Sequence, residues 1–132
     1  MFNDQAHQKH FRELCPGKLL TDAEWSSTVF MLACDAELRR KCLSYVNPKR
    51  REIEWLKLMD HDFSSGHRAA LYWAFSLWSG NSWRYDSDGN SITPVDTMDW
   101  SYYMDGYLRK VAVRALELRW KMRAFSVLEE KW

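Results

Sequence analysis

The longest apolar stretch of the chain lies between Ser64 and Gly80. Serine is favourable just before a helix and glycine just after one, so this pattern predicts a helix over about residues 65–79. Its apolar positions extend around most of the circumference, at Ala70, Leu71, Tyr72, Trp73, Ala74, Phe75, Leu77 and Trp78. A helix that is apolar on so many sides must be enclosed by other elements. We therefore predict that it is central to the fold.

Amphipathic patterns before this stretch predict three further helices. The first spans residues 3–14 with Asn3 or Asp4 as its cap, and the side expected to face the core consists of Phe2, Ala6, His10, Phe11 and Leu14. Thr21 to Glu24 have the form of a capping box, which predicts that a second helix begins there. Asp35 is the predicted cap of a third helix, which ends before Pro48.

The last predicted helix starts at about Trp100 or Asp105 and extends to Met122 or beyond. Its predicted buried side is Leu108, Val111, Ala112, Ala115, Leu118 and Met122. Asp88-Gly89 separates two short alternating runs, a pattern typical of a β-hairpin near residues 83–93. Residues 53–59 fit either a short helix or an extended segment. We therefore predict an all-α fold in which residues 1–132 form one domain. Five or six helices are expected, arranged around the helix at residues 65–79, together with a short β-hairpin.

The charges of the chain nearly cancel overall but are unevenly distributed. The formal net charge is +1. Residues 86–105 hold five acidic residues and no basic one, whereas residues 106–123 hold six basic residues and one acidic one. A near-neutral protein is not expected to bind a membrane or nucleic acid through charge alone. We therefore expect neither a membrane nor a nucleic acid as a direct partner.

Cysteine usage and the N-terminal residues predict a cytoplasmic protein. Cys15, Cys34 and Cys42 form an odd set without CxxC spacing, which is typical of reduced, buried thiols. The N-terminal residues lack the basic and then apolar pattern of a signal peptide. No apolar run reaches the roughly 20 residues needed to span a bilayer.

Three stretches of the chain resemble a family of small helical proteins. They are Phe2-Asn3-x-x-Ala6-His7-x-x-x-Phe11-x-Glu13-Leu14, Ser64-Ser65-Gly66-x-Arg68-x-x-x-x-x-Ala74-Phe75-x-Leu77-Trp78-x-Gly80, and the closing helix. Members of this family have no known function and occur in Firmicutes, their prophages and their phages. The resemblance implies an all-helical fold, a bacterial host cell and a phage or mobile-element setting. It implies no catalytic residues, and the segment from Trp83 to Thr93 departs from the family pattern.

Aromatic and acidic residues are interleaved after the central helix. The chain has eight Trp, more than one small core is expected to enclose, so some aromatic surface should remain exposed. The predicted binding residues are Trp83, Tyr85, Asp86, Asp88, Asp99, Trp100, Tyr103 and Tyr107. Carboxylates beside aromatic rings suit a basic host protein as partner. This surface predicts a non-enzymatic interaction protein. With the phage or prophage setting that the family resemblance implies, the expected role is inhibition of a bacterial defence system by protein–protein binding. In the alternative interpretation, the aromatics fill the core and the acids solvate a loop.

A second hypothesis concerns the start of the central helix. Ser65, His67 and Arg68 there, together with unpaired backbone N–H groups, have the chemistry to bind an anion. This arrangement indicates a small anionic ligand or a nucleotide, bound by a carrier or an enzyme. Capping by Ser65 and pairing of Arg68 with a carboxylate would explain the same residues without a ligand.

Histidines provide the remaining candidate chemistry. His7 and His10 lie three residues apart, and a metal site would need a third ligand such as His61 or Asp62. Packing of one histidine in the core and exposure of the other explains the pattern equally well. We therefore assign no metal, no cofactor and no catalytic residue. The pattern does not determine the oligomeric state.

Overall fold

The computed structural model describes residues 1–80, 83–85, 91–94 and 97–122. Seven α-helices lie within these residues: α1 (Gln5–Leu14), α2 (Ala23–Leu32), α3 (Ala36–Cys42), α4 (Trp55–Met59), α5 (Ser65–Ser79), α6 (Thr97–Ser101) and α7 (Gly106–Arg119). Two antiparallel strand pairs accompany them: β1 (Val46–Asn47) with β2 (Glu52–Ile53), and β3 (Trp83–Tyr85) with β4 (Ser91–Pro94). The all-α prediction and the hairpin near 83–93 are confirmed. The helices described outnumber the prediction because α4 and α6 are helices of only five residues each.

Short polar side chains set the starts of four helices. Asp4, Asp22 and Asp35 accept hydrogen bonds from the N–H groups of the third residues of α1, α2 and α3, at 2.8, 3.0 and 2.8 Å. Ser64 does the same for α5 at 3.3 Å. Asp35 was predicted in this role from the sequence, and the prediction is confirmed.

Two predicted caps lie one residue away from the observed ones. The cap of α2 is Asp22, and the hydroxyl of Thr21 donates instead to the carbonyl of Lys18. The cap of α5 is Ser64, whereas Ser65 is the first residue of the helix. When two adjacent residues can both accept a hydrogen bond from a backbone N–H, the sequence pattern does not show which of them is the cap.

Helix α2 is the most enclosed element of the described structure. All eight residues from Trp25 to Leu32 are buried. The helix packs against both α5 and α7, and the indole N–H of Trp25 donates to the carbonyl of Leu14 at 2.8 Å. Helix α5 packs against α2, α6 and α7, in keeping with its predicted central position. However, Trp73, Phe75 and Trp78 of α5 are only partly buried.

Helix α1 contributes His7 to the core, and the prediction of His10 in that place is wrong. His7 is fully buried among the rings of Phe2 and Phe30, whereas His10 is partly exposed beside Glu13. The backbone N–H of Asn3 donates to Nδ1 of His7, so the remaining ring N–H, on Nε2, donates to the carbonyl of Phe30 at 2.8 Å. Burial lowers the pKa of His7 to about 4, because the charged ring would lose its hydration. The buried imidazole is therefore neutral at pH 7.

Helix α7 buries the predicted stripe except at its end. Leu108, Val111, Ala112, Ala115 and Leu118 are buried as expected. Met122 is exposed, contrary to the prediction, because the helix ends at Arg119 and Met122 no longer continues its periodicity. Polar contacts attach the helix to its neighbours: Arg119 donates to the carbonyl of Leu77, and the indole of Trp73 donates to that of Ala112.

The loop between β1 and β2 contains a strained residue. Arg51 has a φ of +52°, a left-handed conformation that residues with a Cβ adopt at a steric cost. Its guanidinium forms two hydrogen bonds with Asp22, at 2.6 and 3.0 Å, and lies over the ring of Trp78 at 4.9 Å. These contacts tie the loop to the start of α2 and the end of α5. They compensate the backbone strain.

Candidate functional site

Large apolar side chains are exposed together where α6 is followed by α7. Met98, Tyr102, Tyr103 and Tyr107 have 62%, 72%, 58% and 37% of their surface accessible. They fall within residues 98–107, which we call the α6–α7 corner. Clustered exposed aromatic residues are a property of protein-binding surfaces, whereas scattered ones are ordinary.

Trp100 anchors the corner to the central helices. Its ring is partly buried, meets Tyr72 of α5 edge-on with centroids 5.0 Å apart, and lies 5.1 Å from the ring of Tyr103. The exposed Tyr103 ring therefore rests on a ring that itself packs on α5. A ring supported in this way loses little conformational entropy when a partner covers it.

Arg109 holds the turn between the two helices in shape. Its guanidinium donates to the carbonyls of Ser101 and Tyr102, at 3.4 and 2.8 Å. Ser101 is the last residue of α6 and Tyr102 follows it. At this end of a helix the backbone acceptors lack partners within the helix. The arginine thereby fixes the backbone that carries Tyr102 and Tyr103.

Gly66 allows the corner to approach the first turn of α5. A Cβ atom built on Gly66 would lie 3.0 Å from the carbonyl oxygen of Tyr103, which is closer than an ordinary contact. The neighbour is backbone, so it cannot rotate away. The absence of a side chain at Gly66 thus sets how closely the corner packs on α5.

A carboxylate shared by three helices connects the corner to the core. Oδ2 of Asp35, the cap of α3, accepts from the hydroxyl of Tyr107 on α7 at 2.7 Å. Nε2 of His67 on α5 lies 2.8 Å from the same oxygen. Burial alone would raise the pKa of Asp35, but hydrogen bonds from Leu38, Tyr107 and His67 outweigh it and hold that pKa below its ordinary value. Burial and the hydrogen bond to Asp35 raise the pKa of the Tyr107 phenol.

The corner also contains two carboxylates. Asp99 and Asp105 are both exposed. Asp105 occupies the cap position of α7, but its side chain forms no capping hydrogen bond. Its negative charge is therefore presented to solvent beside the tyrosines, where it can attract a basic partner.

The predicted binding residues are partly brought together. Asp99, Trp100, Tyr103 and Tyr107 all belong to the corner. Trp83 and Tyr85 lie in β3, and Asp86 and Asp88 lie outside the described residues. Met98 was not among the predicted residues, because a single methionine in a short helix has no pattern that distinguishes exposure from burial.

The alternative anion-binding residues already have partners within the protein. Arg68 donates to the carbonyls of Met59 and His61, at 2.7 and 2.8 Å, and lies over the ring of Phe63. His67 contacts Asp35 as described, and its Nδ1 lies 3.3 Å from the hydroxyl of Ser64. The carboxylate of Asp35 thus occupies the anionic position beside His67. These contacts explain His67 and Arg68 as structural residues without a ligand.

The histidines considered as metal ligands have separate environments. His7 is bonded to Phe30, His10 lies beside Glu13, and His61 lies 2.7 Å from the hydroxyl of Tyr45. Within the described ranges, no group of three or more His, Cys, Asp or Glu side chains is arranged to hold a metal ion.

The three cysteines are buried as free thiols. Burial raises the pKa of Cys42 to about 12 and raises those of Cys15 and Cys34 as well. All three are therefore protonated at pH 7 and unreactive toward electrophiles.

In the part of the chain that the structure describes, none of the helices has the length and apolar character required to cross a bilayer.

The fold and the corner define a small all-α protein with an exposed aromatic surface. Comparison with protein families assigns it more closely: the model of the family of unknown function DUF6075 matches residues 1–127, and the chain belongs to this family. No curated protein and no solved structure matches the chain.

Proposed function

We propose that this chain is a non-enzymatic interaction protein that binds a basic surface of a host protein through the α6–α7 corner. The observation that carries the proposal is the joint exposure of Met98, Tyr102, Tyr103 and Tyr107 within ten residues. Tyrosines provide large contact areas at low entropic cost and are frequent among the residues that dominate binding energy.

The contacts that hold the corner in place support this role. Trp100 packs edge-on against Tyr72 of α5, Arg109 donates to two carbonyls of the turn, and the hydroxyl of Tyr107 donates to Asp35. A preorganised surface binds more tightly than a flexible one of the same composition, because less motion is lost on association. Asp99 and Asp105 add negative charge at the rim, where it accelerates encounter with a basic partner.

We further propose a phage or prophage setting, in which the host partner is a component of a bacterial defence system. The support is the sequence resemblance together with the acidic segment of residues 86–105, since carboxylates can occupy the positions of nucleic-acid phosphates. The anion-binding alternative at Ser65, His67 and Arg68 remains a prediction. It has less support, because His67 and Arg68 are engaged by the protein itself.

The test is affinity capture from a bacterial lysate with three forms of the chain. These are the wild type, the double variant Tyr102→Ser/Tyr103→Ser, and Leu56→Ser as a matched control. Leu56 is an exposed apolar residue on α4, outside the corner. We expect one protein that is retained by the wild type and the control and is lost from the double variant, with all three forms folded by circular dichroism.

The captured protein then allows a quantitative measurement. Loss of two central tyrosines should weaken its binding by at least about thirtyfold, which corresponds to roughly 2 kcal/mol. Charge reversal at Asp86, Asp88 and Asp99 should reduce mainly the association rate, and the reduction should shrink at high salt. If the protein inhibits defence, its expression should restore phage growth on a defended host, and the double variant should not. Equal capture by wild type and double variant would exclude the corner as the binding surface.

A further inference from the structure

The outer face of α7, which we define by Arg109, Lys110, Val113 and Arg114, continues the exposed surface of the α6–α7 corner. Lys110 and Val113 follow Tyr107 of the corner at intervals of three residues, a spacing that places side chains on one side of a helix. Both are exposed, and Val113 has 55% of its surface accessible. From Tyr107 to Val113 the helix rises only about 9 Å. A partner that covers Tyr107 therefore lies close to the outer face of α7.

The corner alone is small for a stable interface. A standard protein–protein interface takes about 20–30 residues from each side. The corner consists of residues 98–107, and Met104 within it is buried. A partner that binds stably therefore contacts more surface than the corner offers, and the outer face of α7 directly adjoins it.

The charges of the outer face are opposite in sign to those of the corner. The guanidinium groups of Arg109 and Arg114 donate to backbone carbonyls. A carbonyl carries no net charge, so both groups keep an uncompensated positive charge. Neither arginine forms an ion pair with a carboxylate of the residues that the structure describes, and the same holds for Lys110. The outer face therefore attracts negative charge, whereas the corner with Asp105 attracts positive charge.

The shape of the outer face adds an apolar requirement. Around Val113 the surface forms a shallow groove of about 320 Å³, lined by Arg109, Lys110, Val113, Arg114 and Glu117. Three of the four charged residues of this lining are basic. A protein surface that fits the groove is therefore apolar opposite Val113 and acidic around that point.

We propose that the partner's surface is polarised: a basic part faces the corner, and an acidic part with an apolar side chain at its centre faces the outer face of α7. This inference rests on the proposed function, because it extends the same interface along α7. Asp105 and Lys110 then meet opposite charges of one partner. Complementary charges of both signs fix the orientation of the partner and disfavour proteins whose surface is basic throughout.

The signs of two charge reversals test the proposal. Asp105→Lys and Lys110→Glu are compared with the wild type for binding to the host protein that the wild type captures. Each reversal should weaken binding about tenfold at low salt, and high salt should reduce both effects. Lys57→Glu, on the exposed side of α4, is the matched control and should leave the affinity unchanged. A partner that is basic throughout would instead bind Lys110→Glu more tightly, and this result or an unchanged affinity would overturn the proposal.

A photo-cross-link identifies what lies on Val113. In Val113→Cys the new thiol is exposed and the three native cysteines are buried, so a benzophenone maleimide labels one position. Mass spectrometry of the cross-linked host protein should identify a segment with more Asp and Glu than Lys and Arg. Lys57→Cys, labelled in the same way, is the control and should cross-link little of that protein. A basic segment, a nucleic acid or a second copy of the chain at Val113 would overturn the inference.

The inference and the proposed function fail in different ways. If Tyr102→Ser/Tyr103→Ser loses the host protein while Lys110→Glu binds it as well as the wild type does, the proposed function stands and this inference alone is overturned. If the wild-type chain captures no protein, the proposed function fails and the inference fails with it.

Discussion

The hydroxyl of Tyr107 lies 2.7 Å from Oδ2 of Asp35, a residue 72 positions earlier in the chain. Asp35 also caps α3 through the N–H of Leu38 and contacts His67 of α5. One carboxylate therefore joins the first turns of three helices and positions a tyrosine of the proposed binding surface. The contact gives the α6–α7 corner a defined place relative to the core.

Removing the hydroxyl in Tyr107→Phe should lower the free energy of unfolding by about 1–2 kcal/mol, because a half-buried carboxylate loses a donor. The pKa of Asp35 should rise, since hydrogen bonds to the charged form are what keep it low. Urea denaturation at pH 7 measures the first effect, and an NMR titration of the Asp35 carboxyl measures the second. Tyr102→Phe removes an exposed hydroxyl from the same corner and is the control. An unchanged pKa of Asp35 in Tyr107→Phe would contradict the observed contact.

His7 should make the protein less stable in mild acid. Its pKa of about 4 in the folded protein lies below the 6.5 of the unfolded chain, so the unfolded state binds the proton first as the pH falls. Stability attributable to His7 is complete above about pH 6.5 and is lost progressively between pH 6.5 and pH 4, by about 3 kcal/mol in total. Urea midpoints measured across this interval should fall steadily.

Variants of the two histidines separate this effect from other titrations. His7→Leu should flatten the stability profile between pH 6.5 and pH 5, even if the loss of its bond to Phe30 makes the variant less stable at pH 7. His10→Gln, at the partly exposed position beside Glu13, should keep the wild-type dependence. The explanation fails if both variants retain the same slope. Asp22 and Asp35 also have lowered pKa values, but their contributions are lost only at lower pH.

Glycine substitutions at Arg51 and Lys121, the non-glycine residues with a left-handed backbone in the described part of the chain, should have opposite effects. Lys121 has a φ of +58°, and Lys121→Gly removes steric strain of roughly 1–2 kcal/mol at a smaller cost in unfolded-state entropy. It should stabilise the protein by about 0.5 kcal/mol. Arg51→Gly removes similar strain but also both hydrogen bonds to Asp22 and the contact with Trp78, so it should be destabilising. Chemical denaturation of the dilute protein distinguishes the two, and a stabilising Arg51→Gly would show that these contacts contribute little.

Alanine should be tolerated at Gly106 but not at Gly66. Both glycines lie in the first turn of a helix, where alanine is intrinsically favourable by up to about 1 kcal/mol. A Cβ at Gly106 meets no atom within 4 Å, whereas one at Gly66 meets the carbonyl of Tyr103 at 3.0 Å. Gly106→Ala should therefore raise the thermal midpoint of the protein, and Gly66→Ala should lower it and weaken partner capture. If both changes stabilised the protein equally, the corner would have to shift away from α5 without cost to make room for the added Cβ.

Features that depend on neighbouring residues in the chain were predictable from the sequence. The cap at Asp35, the αL glycine at the end of α5 and the buried stripe of α7 up to Leu118 all follow from local hydrogen bonding and helical periodicity. The hairpin near residues 83–93 follows from its turn residues. The clustering of Asp99, Trp100, Tyr103 and Tyr107 was also predictable, because these residues are close in sequence.

Which of two similar residues is buried or hydrogen-bonded depended on the whole fold. Both His7 and His10 lie on α1, but it is His7 whose ring N–H donates a hydrogen bond to a backbone carbonyl, that of Phe30 on α2. Asp35 could be identified as a cap, whereas its bonds to Tyr107 and His67 involve residues from distant parts of the chain. The contacts of Arg51 with Asp22 and Trp78 likewise could not be predicted from the neighbouring sequence.

The sequence by itself thus determined the all-α class, most helix boundaries and the aromatic and acidic composition of the corner. These properties depend on backbone hydrogen bonding and on the alternation of apolar and polar residues, which act over a few positions. Only the tertiary structure decided that α2 is the most enclosed helix, that the partners of His67 and Arg68 lie within the protein, and which tyrosines remain exposed. Burial and long-range hydrogen bonding depend on how the helices pack. Packing brings together residues that are far apart in the chain, and a local sequence pattern does not show such contacts.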